Sequence, residues 1–183
     1  MKKALLVIDV QNDYFQNGKM PLKNPLKALE IINQLELFFK EKKLPVIYIQ
    51  HIKKNKGADF FEFNTDGVRL HPDLMVTKES IIVEKHFPNS FQETTLSEVL
   101  VALGVEQVVV CGMMTHMCID STTRASFELG YRPILIQDAT ATKSLENNGV
   151  EVPAELVQAS FLAALTNFSR VVMSSDFIAQ TDS

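Results

Sequence analysis

The stretch VVVCGMMTHMCIDSTTRASFELGY, residues 108–131, decides the architecture. Val108, Val109 and Val110 form an unbroken apolar run, the pattern of a strand, and Gly112 follows. Near Cys118 the spacing becomes helical. Ile119, Thr122, Ala125 and Leu129 recur at steps of three and four as a narrow inward stripe, and Gly130 stands where a left-handed cap closes a helix. The unit is a strand, an elbow and a helix, with a thiol at the helix start. Backbone N–H groups there lack helical partners and present the positive end of the peptide dipoles, conditions that favour thiolate over thiol. Cys118 is therefore a candidate nucleophile. The plainer alternative is a small core residue, since free cysteine is among the most buried side chains.

Upstream, Ala4 to Ile8 is continuously apolar, which suits a strand covered on both faces in a parallel sheet, and it ends at Asp9. Polar Gln11, Asn12 and Asp13 follow, then Tyr14, Phe15 and the Asn17-Gly18 turn signal. Asn24-Pro25 supplies an N-cap and a first helical residue. Leu26, Leu29, Ile32, Leu35 and Phe38 then repeat as the buried stripe of a helix reaching about Lys43, which Pro45 ends. Val46 to Ile49 is a second strand. Residues 51–80 show no clear periodicity, and a segment that long in a compact domain covers a site or mediates a contact. Ser80 to Val83 is a third strand reaching Glu84 and Lys85, HFPNSF bends the chain, and Thr95 to Glu98 reads as a capping box for a helix from Leu96 to Leu103 closed by Gly104. Gln107 to Cys111 is strand four.

Downstream, Pro133 to Gln137 is a fifth strand ending at Asp138, and DATATKSLENNG is a polar connection. Pro153 to Phe168 is a last long helix with Leu156, Ala159, Leu162, Ala163 and Leu165 apolar, and Val171 to Met173 is a sixth strand before a polar tail. Strands alternating with helices imply right-handed crossovers and an open parallel α/β sheet. Such sheets bind ligands beyond the carboxyl ends of their strands, where strand order reverses. Asp9, Lys85 and the elbow before Cys118 all fall just past strand ends. Taken singly, Asp9 reads equally as a loop cap and Lys85 as a solvated side chain; their interest lies in the coincidence.

A length of 183 residues with 46% hydrophobic content suits a single domain, residues 1–183, built on one core. The net charge of −4 offers no basic field for nucleic acid or an anionic membrane, which leaves small molecules or other proteins as partners. The start MKKALLVIDVQ is positive, but its apolar run stops at Asp9 and no cleavage site follows, so it reads as a strand and not as a signal peptide. No stretch approaches the roughly 20 apolar residues of a membrane span. Two cysteines, Cys111 and Cys118, without C-x-x-C spacing suit a reducing cytoplasm.

With these residues assembled, the chain resembles the isochorismatase-like family of cysteine hydrolases. LLVIDVQNDYF (5–15), VEKHFPNSF (83–91), VCGMMTHMCIDSTTRASFELGY and IQDATAT (136–142) carry the resemblance. It implies a Rossmann-like fold, an open six-stranded parallel sheet of order 3-2-1-4-5-6 with helices on both faces. It also implies Cys118 as nucleophile, Asp9 as general base and acid, and Lys85 as the third member of a catalytic triad. The chemistry fits those roles: a cysteine of ordinary pKa ~8.5 is mostly thiol at neutral pH, so a carboxylate has to take its proton and later deliver one to the leaving amine. The family further places a cis peptide at Met113–Met114, aiming the Met114 and Cys118 N–H groups at a developing oxyanion.

Nicotinamidases of the superfamily carry an Asp-x-His metal pair after the second strand, where this chain has His51, Ile52 and Lys53; no catalytic metal and no cofactor are expected. Isochorismate-cleaving relatives typically lack the nucleophilic cysteine, so the presence of Cys118 points to C–N bond hydrolysis of a small amide, carbamoyl or ureido compound through a thioester acyl-enzyme. Isochorismatase proper, nicotinamidase, and a binding scaffold that lost activity are the alternatives. A nucleotide-binding Rossmann module is disfavoured further, because no G-x-G-x-x-G follows strand one. His116 is read as a loop hydrogen bond, and His51, His71 and His86 as scattered without ligand spacing. Phe15 and residues 52–79 are candidates for the substrate pocket. Phe60, Phe61 and Phe63 are pocket wall, subunit contact or core, and the family suggests a homo-oligomer, dimer or tetramer.

Overall fold

The computed structural model describes residues 1–181; residues 182 and 183, part of the single-domain reading and of the expected polar tail, lie outside the described residues. Six strands form one parallel sheet: β1 (Lys3–Ile8), β2 (Val46–His51), β3 (Ile81–Lys85), β4 (Gln107–Met113), β5 (Ile134–Ala141) and the late β8 (Arg170–Val172). Their spatial order is β3-β2-β1-β4-β5-β8, the 3-2-1-4-5-6 order anticipated from the resemblance. A small antiparallel hairpin, β6 (Leu145–Asn147) with β7 (Val150–Val152), stands apart from it. The helices are α1 (Pro25–Glu41), α2 (Leu96–Ala102), α3 (Asp120–Glu128), α4 (Ala154–Leu165) and α5 (Ser174–Thr181). No helix among the described residues is long and apolar enough to cross a membrane.

The unbroken apolar strands are explained by burial on both faces. In β1, Leu5 and Val7 pack with Leu29, Ile32 and Phe39 of α1 and Phe177 of α5, while Leu6 and Ile8 pack with Leu96 and Leu100 of α2, Ile119 before α3 and Leu165 of α4. Order reverses between β1 and β4, and there the two backbones nearly touch. Gly112 has φ 119, and a Cβ added to it would overlap the Ile8 carbonyl, so only glycine keeps this register.

The segment after β2 lacks period because it is held by side chains. Gln11 donates through Nε2 to the carbonyls of His51 (2.9 Å) and Val68 (2.7 Å) and accepts from the His51 N–H (2.8 Å). Asp13, also buried, accepts from the Phe61 N–H at 2.6 Å and the Lys19 N–H at 3.0 Å. Gln11 and Asp13 thus clamp residues 51–68 over the carboxyl end of the sheet.

Several local expectations give way to tertiary packing. Asn24 precedes α1 in the left-handed region (φ 52) without a side-chain cap, and Leu26 faces solvent. The Thr95–Glu98 capping box does not form; Thr94 Oγ1 instead accepts from the Leu96 N–H at 3.2 Å and donates to the Ser90 carbonyl at 2.6 Å. Leu129 is 54% exposed because α3 ends one residue before it, although Gly130 does adopt the predicted positive φ of 85. β5 extends through DATA of the expected polar connection, whose Ala139 and Ala141 are buried. On α4 the inward residues are Ala154, Val157 and Leu165, and Leu156 is 58% exposed. In place of a plain tail, α5 starts under the Asp138 carboxylate, which accepts from the Ser174 N–H (2.9 Å) and hydroxyl (2.7 Å), and its Phe177 stacks on Phe39 with centroids 6.0 Å apart.

Candidate active site

Three strand ends and one elbow meet on the carboxyl edge of the sheet. Asp9 follows β1 with φ 52, a left-handed conformation that aspartate tolerates better than most residues, and its N–H donates to the Ile49 carbonyl at 3.0 Å. Lys85 closes β3, in register with His51 at the end of β2. Its Nζ lies 2.9 Å from Asp9 Oδ2, both side chains fully buried, and also donates to the Pro88 carbonyl at 2.9 Å.

The elbow is a π-helical turn, Thr115–Ile119, between β4 and α3. The Met113–Met114 peptide before it is cis. Inside the turn the Met117 and Ile119 N–H groups both donate to the Met114 carbonyl (3.0 and 3.2 Å), and Thr115 Oγ1 donates to the Ala141 carbonyl (3.2 Å). His116 meets Thr142 Oγ1 at 2.6 Å, the loop hydrogen bond expected of it. The IQDATAT motif thus braces the elbow from β5. Cys118, 2% exposed, sits in this turn with Sγ 3.8 Å from His51 Nδ1, which in turn is 3.6 Å from Asp9 Oδ2.

Electrostatics set the resting protonation. Burial alone would raise the Asp9 carboxyl, but the Lys85 ammonium and then His51 outweigh it and hold the group below its ordinary value. Burial likewise works against the Lys85 charge, and Asp9 more than restores it, with Cys118 adding to the effect. Cys118 departs from the helix-start expectation: burial, with the Asp9 carboxylate adding to it, pushes its thiol far up against the opposing pull of Lys85. Desolvation defeats the helix dipole because the sulfur lies inside the turn, ahead of the first residue of α3, where the protein and not water surrounds it. The resting centre is a carboxylate, an ammonium and a neutral thiol.

Cys118 and His51 open onto a cavity of about 520 Å³, also lined by Tyr14, Phe60, Met114 and Met117, with Lys53 and residues 55–60 forming one wall. Asp9 and Lys85 do not line it. Phe15 does not either; it packs on the His71 ring (centroids 4.1 Å apart) beside a separate depression, and its neighbour Tyr14 takes the place expected of it. The Tyr14 hydroxyl is buried with no hydrogen-bond partner among the described residues. Of the three phenylalanines, Phe60 lines the cavity, Phe61 is core and Phe63 is exposed.

His51 is the residue that sequence reasoning passed over. It is not scattered: with Asp9 and Cys118 it offers one of three potential ligand atoms lying within 4.8 Å of one another. The available signal was register, since β2 runs two residues beyond Ile49 and ends level with Lys85. Lys53 is engaged elsewhere, 2.6 Å from Asp59 and 3.5 Å from the Phe60 ring centroid.

Residues 3–168 match the family model described as Isochorismatase domain. The chain is 44% identical over 176 residues to the uncharacterized isochorismatase family protein YddQ of Bacillus subtilis (strain 168), covering 96% of this chain and 98% of that protein. It is 32% identical over 151 residues to Nicotinamidase 3 of Arabidopsis thaliana, covering 76% and 73% of the two. Among solved structures, a putative isochorismatase hydrolase from Oleispira antarctica is similar with a TM-score of 0.93 at 40% identity, over 97% of this chain and 96% of that one.

Proposed function

The chain belongs to the isochorismatase family of hydrolases, and from that premise we propose that it cleaves a C–N bond of a small amide, carbamoyl or ureido compound through a thioester acyl-enzyme, without a catalytic metal. The observation that carries this reading is the fully buried Asp9–Lys85 ion pair, 2.9 Å long, standing behind a cysteine that lines the cavity. A neutral thiol next to a carboxylate is a nucleophile that needs the carboxylate. As Cys118 Sγ bonds to the substrate carbonyl carbon, its proton passes to Asp9, and the carbonyl electron pair moves onto oxygen. The Met114 and Cys118 N–H groups receive that oxyanion, each such donor being worth about 3 kcal/mol of transition-state stabilisation. Asp9 then delivers the proton to the leaving nitrogen, the C–N bond breaks, and the acyl-enzyme is left. A water that loses its proton to Asp9 attacks the acyl carbon, the C–S bond breaks, and the proton returns to sulfur. Lys85 stays charged throughout and keeps the carboxylate ionised where burial would otherwise protonate it.

A nicotinamidase is an amide hydrolase by name, which supports the bond class. The metal pair of nicotinamidases has no counterpart in His51 and Lys53, and Lys53 is committed to Asp59 and Phe60. The cytoplasm suits two unpaired buried thiols, Cys111 and Cys118. The homo-oligomer, dimer or tetramer, is carried forward on the family resemblance, and light scattering during gel filtration measures it. Intact-mass spectrometry after incubation with an amide and ureide library tests the chemistry. An adduct forms on the wild-type chain and is missing from Cys118→Ala; turnover undiminished in that variant refutes the mechanism.

A further inference from the structure

We infer that Asp9, His51 and Cys118 form a site for a thiophilic divalent cation such as zinc, and that its occupation switches the enzyme off. Each residue supplies a different donor, a carboxylate oxygen, an imidazole nitrogen and a sulfur, the mixture favoured by zinc and related borderline metals. The distances suit one ion. With Zn–S near 2.3 Å and Zn–N and Zn–O near 2.0–2.1 Å, tetrahedral geometry sets ligand atoms about 3.3–3.6 Å apart. Here Sγ to Nδ1 is 3.8 Å and Nδ1 to Oδ2 is 3.6 Å, each within a few tenths of an ångström of that spacing, and all three ligand atoms lie within 4.8 Å of one another. All three side chains are buried, yet His51 and Cys118 also line the cavity, which gives the ion an entrance and leaves a fourth coordination position facing it.

Binding is a ligand exchange without redox change: Zn²⁺ loses waters, the Cys118 S–H bond breaks, its proton leaves to solvent, and the sulfur pair bonds to the metal. His51 coordinates through Nδ1 and Asp9 through its carboxylate. Lys85, 2.9 Å from Asp9 Oδ2, offsets one of the two negative charges, leaving the ligand set and its neighbour at a net charge of −1 toward a dication. The site stands on geometry alone. Its consequence for turnover rests on the cysteine-hydrolase reading, because the ion would engage the nucleophile and its base together.

Titration of the purified chain with Co²⁺ tests the site by a readout separate from activity. One equivalent is expected to produce a thiolate-to-cobalt charge-transfer band that Cys118→Ser abolishes and Cys111→Ser leaves intact. His51→Gln should weaken the affinity at least tenfold, the scale on which metal sites respond to lost supporting groups. ¹¹³Cd NMR on the unmutated chain reads the donor set without any substitution and is expected to give one resonance of mixed sulfur, nitrogen and oxygen ligation. Lack of the band, its survival in Cys118→Ser, an affinity indifferent to His51, or an all-oxygen cadmium shift overturns the site. With an amide turned over by the chain, Zn²⁺ should inhibit and a chelator restore; stimulation by Zn²⁺ overturns the switch. A chain that hydrolyses no amide while binding cobalt as described would defeat the hydrolase reading and leave the site standing.

Discussion

Replacing Lys85 by methionine is the sharpest test of the buried pair. The two charged atoms are 2.9 Å apart with no exposure of either side chain, so removing the ammonium strands a carboxylate that burial already disfavours. Breaking such a pair from one side costs about 3–5 kcal/mol, against about 0–1 kcal/mol for a surface ion pair. The pH dependence should also change sign. In the wild-type chain the Asp9 carboxyl is held below its ordinary value of 3.8, so its contribution to stability is complete above that pH and is lost as pH falls through the lower folded value. Without Lys85 the largest remaining influence is burial, which raises the group; the folded state then takes up the proton more readily than the unfolded one, and this contribution makes the variant relatively more stable as pH falls. Urea unfolding followed by circular dichroism between pH 3 and 8 measures both effects, and Asp9→Asn combined with Lys85→Met should recover much of the stability while leaving the chain inactive. A loss below about 1 kcal/mol, with a pH profile parallel to that of the wild type, would refute the coupling of a buried pair.

Tyr14→Phe should leave the fold as stable or make it slightly more so, because the lost hydroxyl is buried without a hydrogen-bond partner among the described residues; a drop beyond about 1 kcal/mol in thermal or urea unfolding would mean that it has one. His116 is pushed down to about 4, first by burial and then by Lys143, so the unfolded chain binds the extra proton between the ordinary value of 6.5 and 4, and the fold loses stability as pH falls through that window. Urea midpoints of His116→Gln should lack that slope while matching the wild type at pH 8. Phe177→Ala, which empties the place where α5 stacks on Phe39, should cost about 3–5 kcal/mol by calorimetry, and a cost of a few tenths would mean that α5 is a mere appendage.

Much of this protein is legible without coordinates. Residues 4–8 and 108–110 are apolar without alternation because both faces of their strands are covered, and residues 107–130 announce a strand, an elbow and a capped helix through a change of period. Asp9 and Lys85 are candidates because they stand just past strand ends, where a parallel sheet places its ligands, and Cys118 because it stands at a helix start; their catalytic roles come only from the family resemblance. What local pattern could not carry is everything decided by neighbours distant in sequence. Tyr14 rather than Phe15 enters the cavity because the short 3-10 turn at Asn12–Tyr14 sets which ring faces inward. His51 joins the centre because β2 runs on to the level of Lys85, and α5 docks because Asp138 and Phe39 await it. The protonation of Cys118 reversed for the same reason: a helix start is a local property, whereas the removal of water from a sulfur and the arrival of a carboxylate beside it exist only once the chain has folded. The pattern of the amino-acid sequence by itself determined the open parallel α/β class and the chemical types at the sheet's rim, the strand order coming with the family resemblance; the tertiary structure alone decided their distances, solvation and charge, because those depend on atoms that meet through space and not along the chain.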